Sequence, residues 1–193
     1  MKNEIHQILK KENTMLVIVD MINGFLTQGA LASPRCADIL PAVEELLHSA
    51  KENQIPCIAF ADSHRPDSLE FQSFPVHCLK NTLESELAPS LQEIGGFQRI
   101  EKNSTNGFFA PDFQKYLWIH PELQNVIVCG VCTDICVMQF ALTLKAWANQ
   151  NQKNLNLFIP VNAVATYDAP GHDAESLQKT ALEIMAQAGI HLI

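Results

Sequence analysis

Short apolar runs without polar alternation, separated by stretches of helical periodicity, dominate the pattern of this chain. The runs over 15–19, 55–61, 126–129 and 155–160 are brief and rich in β-branched residues, which predicts strands buried on both faces. Residues 96–101 read as a further strand. Between these runs the apolar spacing changes to three and four. Over 37–53, Ile39, Leu40, Val43, Leu46 and Leu47 fall on one helical face. Helices are predicted also over 85–93, 112–119, 134–148 and 174–188. Strands alternating with helices predict an α/β domain, a three-layer α/β/α sandwich around a mainly parallel central sheet. Residues 150–154 are polar and read as a surface turn, and no repeat or linker interrupts the pattern, so 1–193 is expected to form one domain.

Composition narrows the partners. The formal charge of −8, from 13 basic against 21 acidic side chains, argues against nucleic acid and anionic membranes, since both call for a basic surface. No apolar run approaches the ~20 residues that span a bilayer. The first fourteen residues lack the apolar stretch of a secretory signal, so a cytoplasmic location is expected. In that compartment Cys36, Cys57, Cys78, Cys129, Cys132 and Cys136 are expected to stay reduced.

In open parallel sheets ligands bind beyond the carboxyl ends of the strands. Asp20, Asp62, Lys102 and the segment from Cys132 to Cys136 each follow a predicted strand, so they are expected to converge along one edge. Cys136 falls in the first turn of a predicted helix, where unpaired N–H groups and the helix dipole favour a thiolate and can also receive an oxyanion. Asp20 follows Met-Leu-Val-Ile-Val, and such partial desolvation raises a carboxyl pKa and suits it to accept a proton. Together these residues support acyl transfer. Asp20 would take the thiol proton as Cys136 attacks a carbonyl carbon, then return it to the departing amine, while Lys102 holds the aspartate. The backbone N–H groups of Cys132 and Cys136 would form the oxyanion hole. Taken singly, each residue has a plainer reading: Asp20 as a turn or cap, Lys102 as a surface lysine, Cys136 as a small buried hydrophobe.

A second group carries metal-ligand chemistry. Asp62 and His64 stand two apart after a predicted strand, so they project to one side, and Glu70 and His77 follow downstream. Two carboxylates and two imidazoles suit a divalent ion such as zinc, iron or manganese, although the spacing fits no compact zinc finger. A solvated turn at Asp62–His64 is the alternative. Cys129 and Cys132 have redox spacing, but Cys129 lies within a predicted buried strand and is assigned to the core. His172, in Pro-Gly-His-Asp, reads as a cap on the last helix.

Asp20 with the following Asn23 and Phe25, Lys102 after its strand, and Gly-Val-Cys-Thr-Asp-Ile-Cys-Val from Gly130 to Val137 resemble the cysteine hydrolases of the isochorismatase-like superfamily. The resemblance runs from about residue 15 to the end of the chain. It implies a Rossmann-like fold, an Asp20–Lys102–Cys136 triad and a cis peptide at Val131–Cys132. Asp62-Ser63-His64, Glu70 and Phe74-Pro75-Val76-His77 resemble the nicotinamidase branch, whereas isochorismatases lack this set. That branch implies a metal held by Asp62, His64, Glu70 and His77, with zinc expected first and iron, manganese or magnesium compatible. It implies hydrolysis of nicotinamide, and of pyrazinamide, through a Cys136 thioester in NAD salvage. It also implies Phe25 and Phe74 around the substrate ring, assisted by Phe108, in a homo-oligomer. Another small-amide hydrolase of the superfamily, or a non-catalytic binding domain of the same fold, are the competing readings. Ile22 and Gly24 around Asn23, Phe74 in place of a common tryptophan, and Asn81 in place of a common glycine depart from the family pattern and bear on substrate preference.

Overall fold

Alternate residues of each central strand feed two separate cores, which explains why the strands show no polar alternation. In the computed structural model, which describes residue 5 and residues 7–193, strand β1 (Thr14–Val19) is buried throughout. Residues 1–4 and 6, including His6 and part of the polar N-terminal stretch, lie outside the described residues. Leu16 and Ile18 of β1 join one core; Met15, Val17 and Val19 join the other. The same sorting holds in β2 (Cys57–Asp62), where Cys57, Ala59 and Ala61 face one side and Ile58 and Phe60 the opposite side. Burial of both faces is what a parallel sheet between two helical layers requires.

Helix α1 (Leu40–Glu52), between β1 and β2, packs Val43, Leu46, Leu47 and Ala50 into the first core. After β3 (Gln98–Lys102), helix α2 (Pro111–Ile119) sends Phe113 and Leu117 into the second core. Strand β4 (Asn125–Val131) leads to α3 (Met138–Gln150), whose Phe140, Ala141, Leu144 and Ala148 share that core. Strands β5 (Asn156–Ile159) and β6 (Val164–Ala165), α4 (Ala174–Gln187) and β7 (His191–Leu192) complete the sandwich. Phe60, Phe113 and Phe140 meet edge to face, with centroids 5.1–5.4 Å apart, and tie α2 and α3 to the sheet.

The sheet order is β3-β2-β1-β4-β5-β7, with β6 paired to β4, and the strand pairs are parallel. The expected three-layer α/β/α architecture is therefore present. From β1 the chain steps outward to β3 and then returns to place β4 on the other side of β1, so the order reverses between β1 and β4. Such a reversal opens a crevice at the carboxyl ends of the strands. Val19 pairs with Gly130 at that point, and Gly130 has φ 113, where a Cβ would run into the Val19 carbonyl oxygen. Glycine is required there by both conformation and space.

Several boundaries differ from the sequence reading. The helix expected over 85–93 begins only at Pro89, because Glu86 is extended and the proline occupies the first helical turn of Pro89–Ile94. The helix expected from 37 starts at Leu40, after a separate short turn at Pro34–Ala37. The one expected from 134 opens as a wide π-type turn, Thr133–Val137, before α3 begins. Strands β6 and β7, two residues each, are too short to leave a periodic signal. Among the described residues, no helix is long and apolar enough to cross a membrane.

Candidate active site

Asp20 leaves β1 with φ 52, in the left-handed region that a non-glycine residue enters at a cost of about 1–2 kcal/mol. Two backbone contacts hold it there: its N–H donates to the Phe60 carbonyl at 3.1 Å, and its Oδ1 accepts from the Asp62 N–H at 3.1 Å. Lys102 closes β3 in register with Asp62 of β2. Its buried ammonium lies 2.7 Å from Asp20 Oδ2 and 2.5 Å from Asp62 Oδ1, and it donates to the Ser104 carbonyl at 3.1 Å. Cys136 Sγ stands 3.9 Å from the same Nζ. The expected convergence of Asp20, Lys102 and Cys136 is present, with Asp62 as a fourth member.

Burial raises Asp20, the nearby Asp62 charge adds to it, and Lys102 opposes both, leaving its pKa at about 7. At Lys102 burial disfavours the charge, but Asp20 and Asp62 outweigh it and hold the ammonium well above the usual lysine range. At Asp62 burial again works against ionisation, and Lys102 and His64 outweigh it and lower the pKa. Cys136 departs from expectation. Burial pushes its thiol well above the usual range, and although Lys102 pulls it down, Asp20 and Asp62 push it up. The resting group is a thiol, because desolvation and two carboxylates override the favourable helix start.

Asp62 also belongs to the second cluster. Asp62, His64, Glu70 and His77 each offer a donor atom, and these atoms lie within 4.8 Å of one another. His64 Nε2 is 3.7 Å from both Asp62 Oδ1 and Glu70 Oε1, and His77 Nε2 is 3.9 Å from Glu70 Oε1. His77 Nδ1 faces the Pro75 carbonyl at 2.8 Å, and His64 Nδ1 faces Asn103 Oδ1 at 3.1 Å. Both partners are acceptors, so each ring can donate Nδ1–H to them and turn Nε2 towards the carboxylates. His64 Nε2 is buried without a hydrogen-bond partner, and an orphan lone pair beside two carboxylates is what a bound cation resolves. The donor set fits a divalent metal ion.

The loop that carries these donors is tied down by its own backbone. The His64 N–H donates to the Cys78 carbonyl and the Lys80 N–H to the His64 carbonyl, both at 2.9 Å, while Glu84 accepts from the Cys78 N–H at 2.8 Å. Glu70 Oε2 accepts from the Thr105 N–H at 3.1 Å. A pocket of about 390 Å³ is lined by both clusters: Glu70 and His77 come from the metal-ligand group, Cys136 from the thiol group, and Asp62, with donor atoms within 4.8 Å of those in either group, joins them. Phe25 and Phe74 line it, their rings 5.8 and 6.2 Å from the His77 ring.

Phe108 is a correction. It lies in the second core, against Phe113 at 6.1 Å and Trp147 at 6.3 Å, and is absent from the pocket lining. Leu31, Thr105, Ile135 and Tyr167 line the pocket without having been singled out in the sequence. Tyr167 follows β6, so the carboxyl-end rule would have found it had that strand been legible. The Val131–Cys132 peptide is cis, as the resemblance implies.

Residues 14–193 match the isochorismatase domain family. The chain belongs to the isochorismatase family. It is 32% identical to Nicotinamidase 1 of Arabidopsis thaliana over 96% of this chain and 84% of that one. It is 26% identical to the nicotinamidase of Acinetobacter baylyi, over 90% of this chain and 89% of that one. Among solved structures, the pyrazinamidase of Pyrococcus horikoshii in complex with zinc superposes with a TM-score of 0.75 at 27% identity, covering 94% of this chain and 98% of the other. Within the isochorismatase family the chain falls in the nicotinamidase branch, as a hydrolase acting on amides.

Proposed function

We propose that this protein is a nicotinamidase, hydrolysing nicotinamide to nicotinate and ammonia through a thioester on Cys136, with pyrazinamide as a second substrate. The observation that carries this reading is one pocket lined both by a metal-ligand group and by a thiol beside a lysine and two aspartates. A divalent ion held by Asp62, His64, Glu70 and His77, zinc in the first instance, supplies a fixed binding point for the pyridine nitrogen. The chain's own residues do the rest. Phe25 and Phe74 flank the flat ring and hold the carboxamide towards Cys136, and such orientation can lower a barrier by several kcal/mol.

As the sulfur attacks the carboxamide carbon, the thiol proton passes to Asp20, whose pKa of about 7 lets it both accept and return a proton near neutrality. The backbone N–H groups of Cys132 and Cys136 receive the oxyanion. Collapse breaks the C–N bond, and Asp20 gives its proton to the departing nitrogen, so ammonia leaves instead of an amide anion. Asp20 then takes a proton from water as that water attacks the thioester carbon. Nicotinate is released and the proton returns to the Cys136 sulfur. Lys102 remains charged throughout and holds Asp20 in place. The product is a free pyridine carboxylate, and on that chemistry we assign the enzyme to NAD salvage.

Ammonia and nicotinate release from zinc-loaded protein given nicotinamide is the test. Steady turnover is expected, with pyrazinamide also accepted. Absence of ammonia from nicotinamide, with turnover of an aliphatic amide instead, would assign the site to another small-amide hydrolase.

A further inference from the structure

Tyr167 and His172 form a unit that the reaction above does not use. Tyr167 lies just beyond β6, whose Ala165 pairs with Val131 at the end of β4, and it lines the pocket near Cys132. His172 lies flat on its ring, with centroids 3.9 Å apart and planes within 9°. The imidazole makes two further contacts: Nδ1 to the Tyr167 carbonyl and Nε2 to Asp134 Oδ2, each at 2.9 Å. Together with the ring stack, these two contacts hold the imidazole at three points and leave it little freedom to turn. Asp134 belongs to the Thr133–Val137 turn that also carries Cys136.

His172 is therefore not the cap that its position suggests. Asp173 caps α4, accepting from the Ser176 N–H at 2.8 Å. Paired backbone bonds between Ala169 and His172, at 2.8 and 3.0 Å, close the intervening loop and fix the imidazole between pocket wall and nucleophile turn.

We propose that Tyr167 is a specificity-determining residue that selects planar ring amides at the thiol end of the pocket, with His172 as the positioning residue that fixes its ring relative to Cys136. The proposal rests on the nicotinamidase reading for its substrate class. Phe25 and Phe74 gather about His77, and Tyr167 adds a third aromatic ring to the lining of the same pocket, which suits a flat ring substrate.

The test uses the zinc-loaded full chain and two readouts: the nicotinamide concentration that half-protects Cys136 from iodoacetamide, and KM with kcat for nicotinamide. Tyr167→Ala is expected to raise the half-protecting concentration and KM roughly tenfold, the worth of one good aromatic contact, with kcat changed less than about threefold. Tyr167→Phe, which keeps the ring, should recover most of the loss. His172→Ala should shift the same quantities in the same direction, and the double variant should be no worse than Tyr167→Ala alone. Zinc content and the alkylation rate without nicotinamide should match the parent protein, which separates wall formation from a general disturbance of the turn.

Unchanged half-protection and KM in Tyr167→Ala would overturn the proposal, as would a loss confined to kcat and to unprotected alkylation. Additive losses in the double variant would overturn the role given to His172. Protection of the parent protein without turnover would reject the nicotinamidase reading while leaving Tyr167 measurable by protection. Failure of nicotinamide to protect the parent at all would overturn both.

Discussion

At the thiol end of the pocket, Asp20, Lys102 and Cys136 stand at or just beyond the ends of strands whose neighbours are fixed by ladder hydrogen bonds, and each is at most 5% exposed. At the metal end, Glu70 and His77 come from an irregular segment between β2 and β3, held by a few local bonds such as those joining His64 to Cys78 and Lys80. The first arrangement depends on the register of the whole sheet; the second depends on individual hydrogen bonds. Asp62 is the hinge between them, since its carboxylate faces both Lys102 and His64. Two ends built by different means should fail separately, and substitutions can expose that.

The largest effect is expected at the thiol. Cys136→Ala should lower ammonia release by about 10⁴-fold or more, as removal of a nucleophile does, while metal analysis finds the zinc content unchanged. Substantial residual rate would remove Cys136 from its role. His64→Ala should do the reverse: zinc is lost and nicotinamide turnover falls about a hundredfold or more, yet iodoacetamide still modifies Cys136 at close to the parent rate. A His64→Ala protein that retains both zinc and full activity would break the division between the two ends.

Smaller effects sharpen the same contrast. In metal-free protein, alkylation of Cys136 should follow the ionisation of Asp20, whose pKa is about 7. Below that value the carboxyl is protonated and cannot take the thiol proton, so the rate should rise about tenfold per unit up to neutrality and then flatten. The step should vanish in Asp20→Asn. Asn103→Ala, which removes the oxygen facing His64 Nδ1, should weaken zinc binding roughly tenfold in a competition titration and leave the alkylation profile in place.

The same contrast explains what could be read in advance. The strands and the two cores follow from residue type alone, because each buried run sorts its side chains by a period of two. Asp20, Lys102 and Cys136 could be placed together because each follows a strand. Glu70 and His77 sit in 3₁₀ and irregular turns without periodic signal, so residue chemistry named them as candidates but only the family resemblance favoured them over a solvated turn. Phe108 was misassigned because a phenylalanine near the site has no sequence mark that separates core from pocket; its packing against Phe113 and Trp147 decides it. The thiol's protonation was also beyond local reasoning. The helix start favours thiolate, but burial and two carboxylates from the ends of β1 and β2, both far away in sequence, reverse this.

The central claim is that the metal end holds the ring while the thiol end cleaves the amide. Rates of ammonia release from nicotinamide and from benzamide, which lacks the ring nitrogen, test it when measured before and after removal of zinc by a chelator. The account requires nicotinamide to be strongly preferred in the zinc-loaded protein. On chelation its rate should collapse towards that of benzamide, which should itself change little. Equal proportional losses for both substrates, or no loss for either, would contradict the account.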